Sequence, residues 1–311
     1  MKKYFILLLL ASQLFGESHY EEAYNLEKTN TLFAIPLYEK ALVHKPTGKL
    51  QKAVVSRLFY LYKKHNKILD ALFLGSRFPS IITSKDRAWI WNDLGEIYKP
   101  LSITELSSTY VFVAKAKENQ TLELSEHLKQ FNSPKLYEFA SILLLKRKQY
   151  KSVLEIFESN PTMAVSPIFI GISEIKSKED FGKEYLKTIL AESELEKSDL
   201  QKSDILYLMG MYYRLTDDIG SSVRYFRMSG SFALKNRSIS ETFKSLVLNV
   251  NPKEACSLYK ISPSKNDEIE LLIHYFCTND PVWRTFRPSI KVLANREGNE
   301  FLNNLFFSEN Q

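Results

Sequence analysis

The sequence predicts an all-α protein, an α-solenoid of antiparallel helix hairpins that ends in a C-terminal capping helical segment. The 311 residues include only ten glycines and eleven prolines, fewer than a turn-rich β protein needs. Apolar residues recur at helical spacing in segments of about 10 to 16 residues. Short polar breaks separate these segments, which is typical of helices joined by short loops.

Composition and charge exclude several classes of protein. Hydrophobic residues make up 44% of the chain and charged residues 25%, which is ordinary for a globular protein and excludes a disordered or low-complexity one. The net charge of +6 is spread along the chain, whereas nucleic-acid binding needs a continuous basic stripe. The densest basic cluster, residues 146–151, lies where a helix is predicted to end and complements its dipole. We therefore expect no nucleic-acid partner.

The N-terminus has the three parts of a secretory signal peptide. A short basic start at residues 1–3 is followed by an apolar run at residues 4–11 and by Gly16, a small residue suited to cleavage. We predict that residues 1–16 are removed, which lowers the net charge from +6 to +4 because two lysines and no acidic residue are lost. An amphipathic or buried N-terminal helix is the alternative interpretation.

The predicted location follows from two further features of the chain. The apolar run extends at most to Phe15, which is shorter than the roughly 20 residues that span a bilayer. The first cysteine is Cys256, so no cysteine follows the run for lipid attachment. We therefore predict a periplasmic protein that is not a lipoprotein and has no transmembrane span in its mature chain.

Helix boundaries are marked by prolines and by residues that cap helices. A cap or a proline in the first turn favours a helix start, and a proline after a periodic segment favours a stop. The starts are at Ser133-Pro134, Asp280-Pro281 and Pro288-Ser289, and the stops are at Lys99-Pro100 and Asn160-Pro161.

The most specific pattern in the chain is Trp-Asn-Asp-Leu-Gly-Glu-Ile-Tyr at residues 91–98. It matches W-x2-L-G-x2-Y, in which Trp91, Leu94 and Tyr98 share one face of a helix. Gly95 has no side chain, so a second helix can approach closely at that point. We expect these four residues to pack the helix against its partner.

Two other segments repeat parts of this pattern. Gly210 and Tyr213 keep the glycine and the tyrosine three residues later, and Ser222 and Phe226 follow at the spacing of a second helix. Near the N-terminus the second-helix half recurs as Ala34, Tyr38 and Ala41.

With these copies the chain resembles the tetratricopeptide repeat family over roughly residues 18–235. The resemblance implies a superhelix of helix hairpins, and the irregular spacing of the copies implies an imperfect one. We assign residues 17–238 to the repeats and residues 239–311 to a degenerate helical repeat and a cap.

The C-terminal segment is predicted to contain a helix hairpin at residues 253–260 and 267–277, then a short helix and a broken terminal helix. Solenoids need an end unit, so we expect the aromatic residues here to seal the last repeat, with a partner-docking site as the alternative. Cys256 and Cys277 lie in the hairpin, and an antiparallel register puts them about 9 Å apart along the axis. That spacing favours two free thiols over a disulfide, and both remain open.

No chemistry-bearing motif emerges from the sequence. The five histidines lie far apart without metal-ligand spacing, and phosphate loops and nucleophile elbows are missing. The acidic clusters occur in strongly polar stretches, whereas a catalytic carboxylate pair needs burial. We therefore predict no catalytic residues, no metal, no cofactor and no enzymatic activity.

The resemblance to tetratricopeptide repeats also implies a concave groove that is lined by one face of each first helix. In a groove of this kind, aromatic, amide and charged side chains grip an extended protein segment. The candidate partner-binding residues are Trp89, Asn92, Glu96 and Lys99 in the best copy, and Tyr207, Met211 and Arg214 in the second. Packing against a neighbouring repeat is an equally supported interpretation of Trp89 and Tyr207.

These features favour a non-catalytic scaffold or adaptor that binds protein partners in the bacterial cell envelope. A helical accessory domain of a lytic-transglycosylase-like cell-wall enzyme system is one alternative, although the chain lacks the catalytic glutamate-serine module of such enzymes. A structural envelope protein that assembles into homo-oligomers is the other alternative.

Overall fold

The structure, a computed structural model, describes residues 18–115, 122–160, 167–177, 199–215, 218–230, 252–258, 267–295 and 300–307. Over these residues the regular elements are helices and none is a strand, which confirms the predicted all-α class. The predicted signal peptide and the predicted boundary at residue 238 lie outside the described residues. None of the described helices is both long and apolar enough to cross a membrane.

The helices are short and follow one another closely along the chain. In order they are α1 (residues 18–27), α2 (Thr31–Val43), α3 (Gly48–Lys64), α4 (Ile68–Arg77), α5 (Ser84–Ile97), α6 (Ile103–Lys115), α7 (Leu122–Phe131), α8 (Pro134–Lys146), α9 (Tyr150–Ser159), α10 (Pro167–Ser177), α11 (Asp199–Leu215), α12 (Ile219–Gly230), α13 (Pro252–Leu258), α14 (Glu268–Cys277), a 3-10 helix (Pro281–Phe286), α15 (Arg287–Ala294) and α16 (Glu300–Phe306). The starts at Pro134 and Pro281 confirm two of the predicted boundaries.

The chain forms two compact units, and the first contains both ends of the sequence. It comprises Met1–Ile90 together with Asn251–Gln311, and the second unit is Trp91–Val250. The boundary between them falls within α5.

In the first unit, α2 forms the centre of the core. Asn30 caps this helix, because its side chain accepts hydrogen bonds from the backbone amides of Leu32 and Phe33. The stretch from Leu32 to Leu37 is buried on every side of the helix, and α2 packs against both α3 and α15. A helix that is apolar all round needs such enclosure.

The repeat-packing candidates of α2 are buried in this core. Ala34, Tyr38 and Ala41 have no exposed surface, as a packing role requires. The Tyr38 hydroxyl donates a hydrogen bond of 2.7 Å to Glu27 of α1. Burial raises the pKa of Tyr38 well above its ordinary value, and the Glu27 carboxylate raises it further.

The C-terminal segment covers α2 from another side. The Phe286 ring stacks on Phe33 with the ring centroids 4.3 Å apart, and the Ser289 hydroxyl donates to the Phe33 carbonyl. Phe286 is 3% exposed. The expectation that the C-terminal aromatics seal the last repeat is therefore corrected for Phe286, which lies against one of the first helices of the chain.

The two cysteines form a disulfide, so the preference for free thiols is wrong. The Cα atoms of Cys256 and Cys277 are 5.2 Å apart, within the range that a disulfide bridges. The antiparallel register expected from the sequence separates the two cysteines by about 9 Å along the helix axis. In the structure Cys256 instead lies beside the last residue of α14, a register that the sequence pattern did not specify.

Candidate functional site

Within the second unit, the end of α5 from Trp91 onward packs one face against neighbouring helices. The Trp91 ring meets Tyr110 of α6 nearly edge-on at 6.0 Å between centroids, and the Tyr98 ring meets Phe139 of α8 at 5.0 Å. Leu94, between them on the same face, is 1% exposed. Burial raises the pKa of Tyr98 to about 12. These contacts fix which side of α5 remains open to solvent.

Gly95 does not stand at a close helix approach, in contrast to what the motif led us to expect. A Cβ atom at this position would lie 3.7 Å from the Ile103 side chain, an ordinary van der Waals contact. Ile103 is itself 43% exposed. The distance between α5 and α6 therefore leaves room for a methyl group at residue 95.

Three of the predicted groove residues are exposed on α5 or directly after it, since α5 ends at Ile97. Asn92, Glu96 and Lys99 are all exposed, and the Lys99 ammonium lies 2.5 Å from the Glu96 carboxylate. Exposed ion pairs of this kind contribute little to stability. A nearby cation, Lys135, donates to the Lys99 carbonyl. This polar strip, Asn92, Glu96 and Lys99, is thus accessible to a partner at little cost to the fold.

Trp89, the fourth candidate on α5, belongs to the first unit and is half-buried. Its ring meets Phe59 of α3 edge-on at 5.9 Å, and the Lys63 ammonium lies 4.8 Å from its centroid. Aromatic and cation–π contacts of this type stabilise packing between helices. Of the two interpretations of Trp89, these contacts favour packing against the neighbouring helix.

The candidates on α11 divide between core and surface. Tyr207 is 7% exposed and its ring lies 5.6 Å from that of Phe226, so of its two interpretations these contacts favour packing over a groove position. Met211 packs at the edge of the same cluster, and Arg214 is half-buried. The sequence pattern did not predict this packing, because the face of α11 that packs against α12 includes more residues than the motif positions.

Gly210 stands at a close approach between α11 and α12. A Cβ atom there would lie 2.5 Å from the Phe226 ring, a distance that real Cβ contacts do not show. The Ser222 hydroxyl donates a hydrogen bond of 2.9 Å to the Gly210 carbonyl. At the end of the pair, Tyr213 stacks on Tyr225 with the centroids 5.2 Å apart. The glycine, the serine and the two aromatic residues that repeat the motif therefore pack this pair together.

The buried histidine of the second unit is held in its neutral form. His127 on α7 is 7% exposed, and its Nε2 atom lies 3.0 Å from the Thr109 hydroxyl of α6. The Phe112 ring stacks on it at 4.3 Å. Burial lowers the pKa of His127 below its ordinary value because the charged imidazolium would lose its hydration.

A cavity in the C-terminal part of the first unit was not assigned a site from the sequence. It has a volume of 450 Å³ and opens beside the disulfide; we call it the disulfide cavity. Its walls include the bridged Cys256 and Cys277, the aromatic Phe276 and Trp283, and the cationic Lys253 and Arg284. The adjacent aromatic and cation at residues 283 and 284 were the available signal, but only the fold shows that they face a cavity.

Among the described residues, no group of three or more His, Cys, Asp and Glu is arranged to hold a metal ion. Comparison with protein-family models, with curated proteins and with solved structures finds no match to this chain. The assignment of a function therefore rests on the residues described above.

Proposed function

We propose that this chain is a non-catalytic scaffold that binds protein partners in the bacterial cell envelope. In this proposal the helices form a tetratricopeptide-like solenoid, and a signal peptide of residues 1–16 directs the chain to the periplasm. The single observation that carries the proposal is that the end of α5 and the turn after it divide into a packed face and the exposed polar strip of Asn92, Glu96 and Lys99.

Charge and accessibility explain why this strip suits a protein partner. An amide and a carboxylate on α5, with an ammonium group just after it, offer both donors and acceptors to a backbone or to charged side chains. Because the opposite face is anchored by Trp91, Leu94 and Tyr98, binding would not require α5 to reorganise. Preorganised surfaces lose less entropy on association.

The test is a crosslinked pull-down from the envelope fraction with matched charge swaps. The test variant carries Glu96→Lys and Lys99→Glu, and the control carries Glu126→Lys and Lys129→Glu, an exposed pair with the same spacing on α7. Both leave the net charge unchanged. We expect the α5 swap to reduce partner recovery by at least about tenfold and the α7 swap to leave it intact, because charge reversal at an interface opposes binding.

Other outcomes separate the alternatives. Equal recovery with both swaps would exclude the strip as the binding surface. Clearing of purified peptidoglycan by the protein would favour a cell-wall enzyme system, and a large homo-oligomer in light scattering would favour self-assembly. A mature N-terminus at residue 17 in the periplasmic fraction is expected, and an intact Met1 there would contradict the predicted signal peptide.

A further inference from the structure

The walls of the disulfide cavity come from three consecutive elements of the first unit. Lys253 and Cys256 lie one turn apart on α13, Phe276 and Cys277 end α14, and the 3-10 helix that follows provides Trp283 and Arg284. The disulfide joins α13 to the end of α14 covalently. The relative placement of these walls is thus set by a covalent bond as well as by packing.

The aromatic wall of the cavity is held in place from behind. The Trp283 ring lies 4.9 Å from Phe306 of α16, and the Phe276 ring meets Phe306 nearly edge-on at 6.2 Å. Both Phe276 and Trp283 are half-buried, so each contacts the core and still offers surface to the cavity. Rigid aromatic surface of this kind contributes binding energy at a low entropic cost.

Among the described residues that line the cavity, the charged side chains are the cations Lys253 and Arg284. Both are exposed. Asp280, which follows the lining residue Asn279, caps the 3-10 helix by accepting a hydrogen bond of 2.9 Å from the Val282 amide. The Arg284 guanidinium lies 5.8 Å from the Trp283 ring centroid, so cation and aromatic surface are offered side by side.

We propose that the disulfide cavity binds a short acidic segment of a partner protein, in which an aromatic side chain is adjacent to carboxylates. The aromatic group would lie against Phe276 and Trp283, and a carboxylate would pair with Arg284. A volume of 450 Å³ is within the usual range of ligand pockets and accommodates a few residues rather than a folded surface. This inference rests on the proposed scaffold function and adds a second, chemically defined site to it.

The test uses a defined peptide and the full-length chain under non-reducing conditions. The probe is fluorescein-labelled Gly-Phe-Asp-Glu-Phe-Gly, and the matched peptides replace either both acids by Lys or both Phe by Ala. We expect saturable binding of the probe in fluorescence anisotropy and affinity at least about tenfold weaker for each matched peptide, a difference that needs only 1.4 kcal/mol. Equal affinity for the acidic and the basic peptide would overturn the proposal.

Variants of the protein locate the binding. Arg284→Ala and Trp283→Ala are each expected to weaken probe binding by about tenfold, as loss of an anchoring cation or aromatic does. The control is Arg77→Ala, an exposed arginine of α4 outside the cavity. Since Arg284 is exposed, its variant folds even if the Trp283 variant does not. Unchanged binding by Arg284→Ala would overturn the proposal.

The two proposals fail in different ways. If envelope partners are captured through α5 but the acidic peptide does not bind, the disulfide cavity is excluded and the scaffold function stands. If the peptide binds but no partner is captured by the wild-type chain, the scaffold function fails and the cavity remains as a peptide site.

Discussion

The two helix pairs that carry the glycine motif in the second unit differ in how closely they pack. In α11–α12 the Phe226 ring would come within 2.5 Å of a Cβ at Gly210, and Phe226 is fully buried. In α5–α6 the nearest atom to a Cβ at Gly95 is 3.7 Å away, on Ile103, which is 43% exposed. The same motif position thus serves a tight contact in one pair and a loose one in the other.

The difference indicates that the residue facing a motif glycine determines whether the glycine is needed for close packing. A phenylalanine ring opposite Gly210 fills the space that a side chain would need, whereas Ile103 at the edge of α6 leaves that space open. The α5–α6 pair relies instead on Trp91 and Tyr98, whose rings contact α6 and α8. Large aromatic contacts hold helices together at a greater separation than a glycine contact does.

The largest expected effect comes from removing the two partner residues. Phe226→Ala should lower the free energy of unfolding by about 3–5 kcal/mol, because it leaves a cavity in a fully buried site. Ile103→Ala should cost less than about 1 kcal/mol, since Ile103 is partly solvated already. Urea denaturation of both variants measures the difference. Equal losses would show that the two pairs pack alike.

The next effect concerns the glycine of the tight pair. Gly210→Ala should destabilise the protein by about 1–3 kcal/mol, because the new methyl group must displace the Phe226 ring. Adding Phe226→Leu to this variant should recover part of the loss by providing room. Thermal denaturation of the single and double variants tests this. A double variant less stable than the sum of the single changes would contradict the steric explanation.

Low pH should destabilise α6 and α7 more than it destabilises α11 and α12. Because burial lowers the pKa of His127 in the folded chain, the unfolded chain binds the proton more readily. The contribution of neutral His127 to the free energy of unfolding is therefore complete above the ordinary histidine pKa of about 6.5. It is lost as the pH falls through the lower pKa of the folded chain. Hydrogen exchange should show faster opening of α6 and α7 at pH 5 than at pH 7.5, with a smaller change in α11 and α12. His127→Gln should remove the difference.

The smallest effect should have the opposite sign to that at Gly210. Gly95→Ala should raise stability by about 0.5–1 kcal/mol, because alanine has the higher helix propensity and its methyl group meets Ile103 at an ordinary distance. The measurement is the same urea titration used for the partner residues. A loss of stability would show that α6 lies closer to α5 than the structure has it.

Local features of the fold were predictable from the sequence, and contacts between distant residues were not. The helix that starts at Pro134 follows from a cap and a proline that are adjacent in the chain. By contrast, the hydrogen bond from Ser289 to Phe33 joins residues 256 positions apart, and no local pattern specifies it. The register of the disulfide and the burial of Tyr207 depend on helix-to-helix geometry in the same way.

For the candidate sites, the sequence predicted solvent exposure on α5 but not on α11. Helical periodicity correctly separated Leu94 from Asn92 and Glu96 because they lie on different faces of one helix. On α11, helical periodicity could not show whether Tyr207 faces a groove or the core, since aromatic side chains occur on both faces beside the motif positions. The disulfide cavity required the distance between Cys256 and Cys277, which depends on the tertiary arrangement.

The stacking of Phe33 on Phe286 has a consequence for how the protein is made. Synthesis proceeds from the N-terminus, so α2 leaves the ribosome about 250 residues before the helix that covers it. At roughly 5–20 residues per second, this interval lasts about 10 to 50 s. During that time one side of the apolar stretch from Leu32 to Leu37 has no native cover, so the unfinished chain exposes the kind of surface that promotes aggregation. The second unit is contiguous in sequence and is complete before the first.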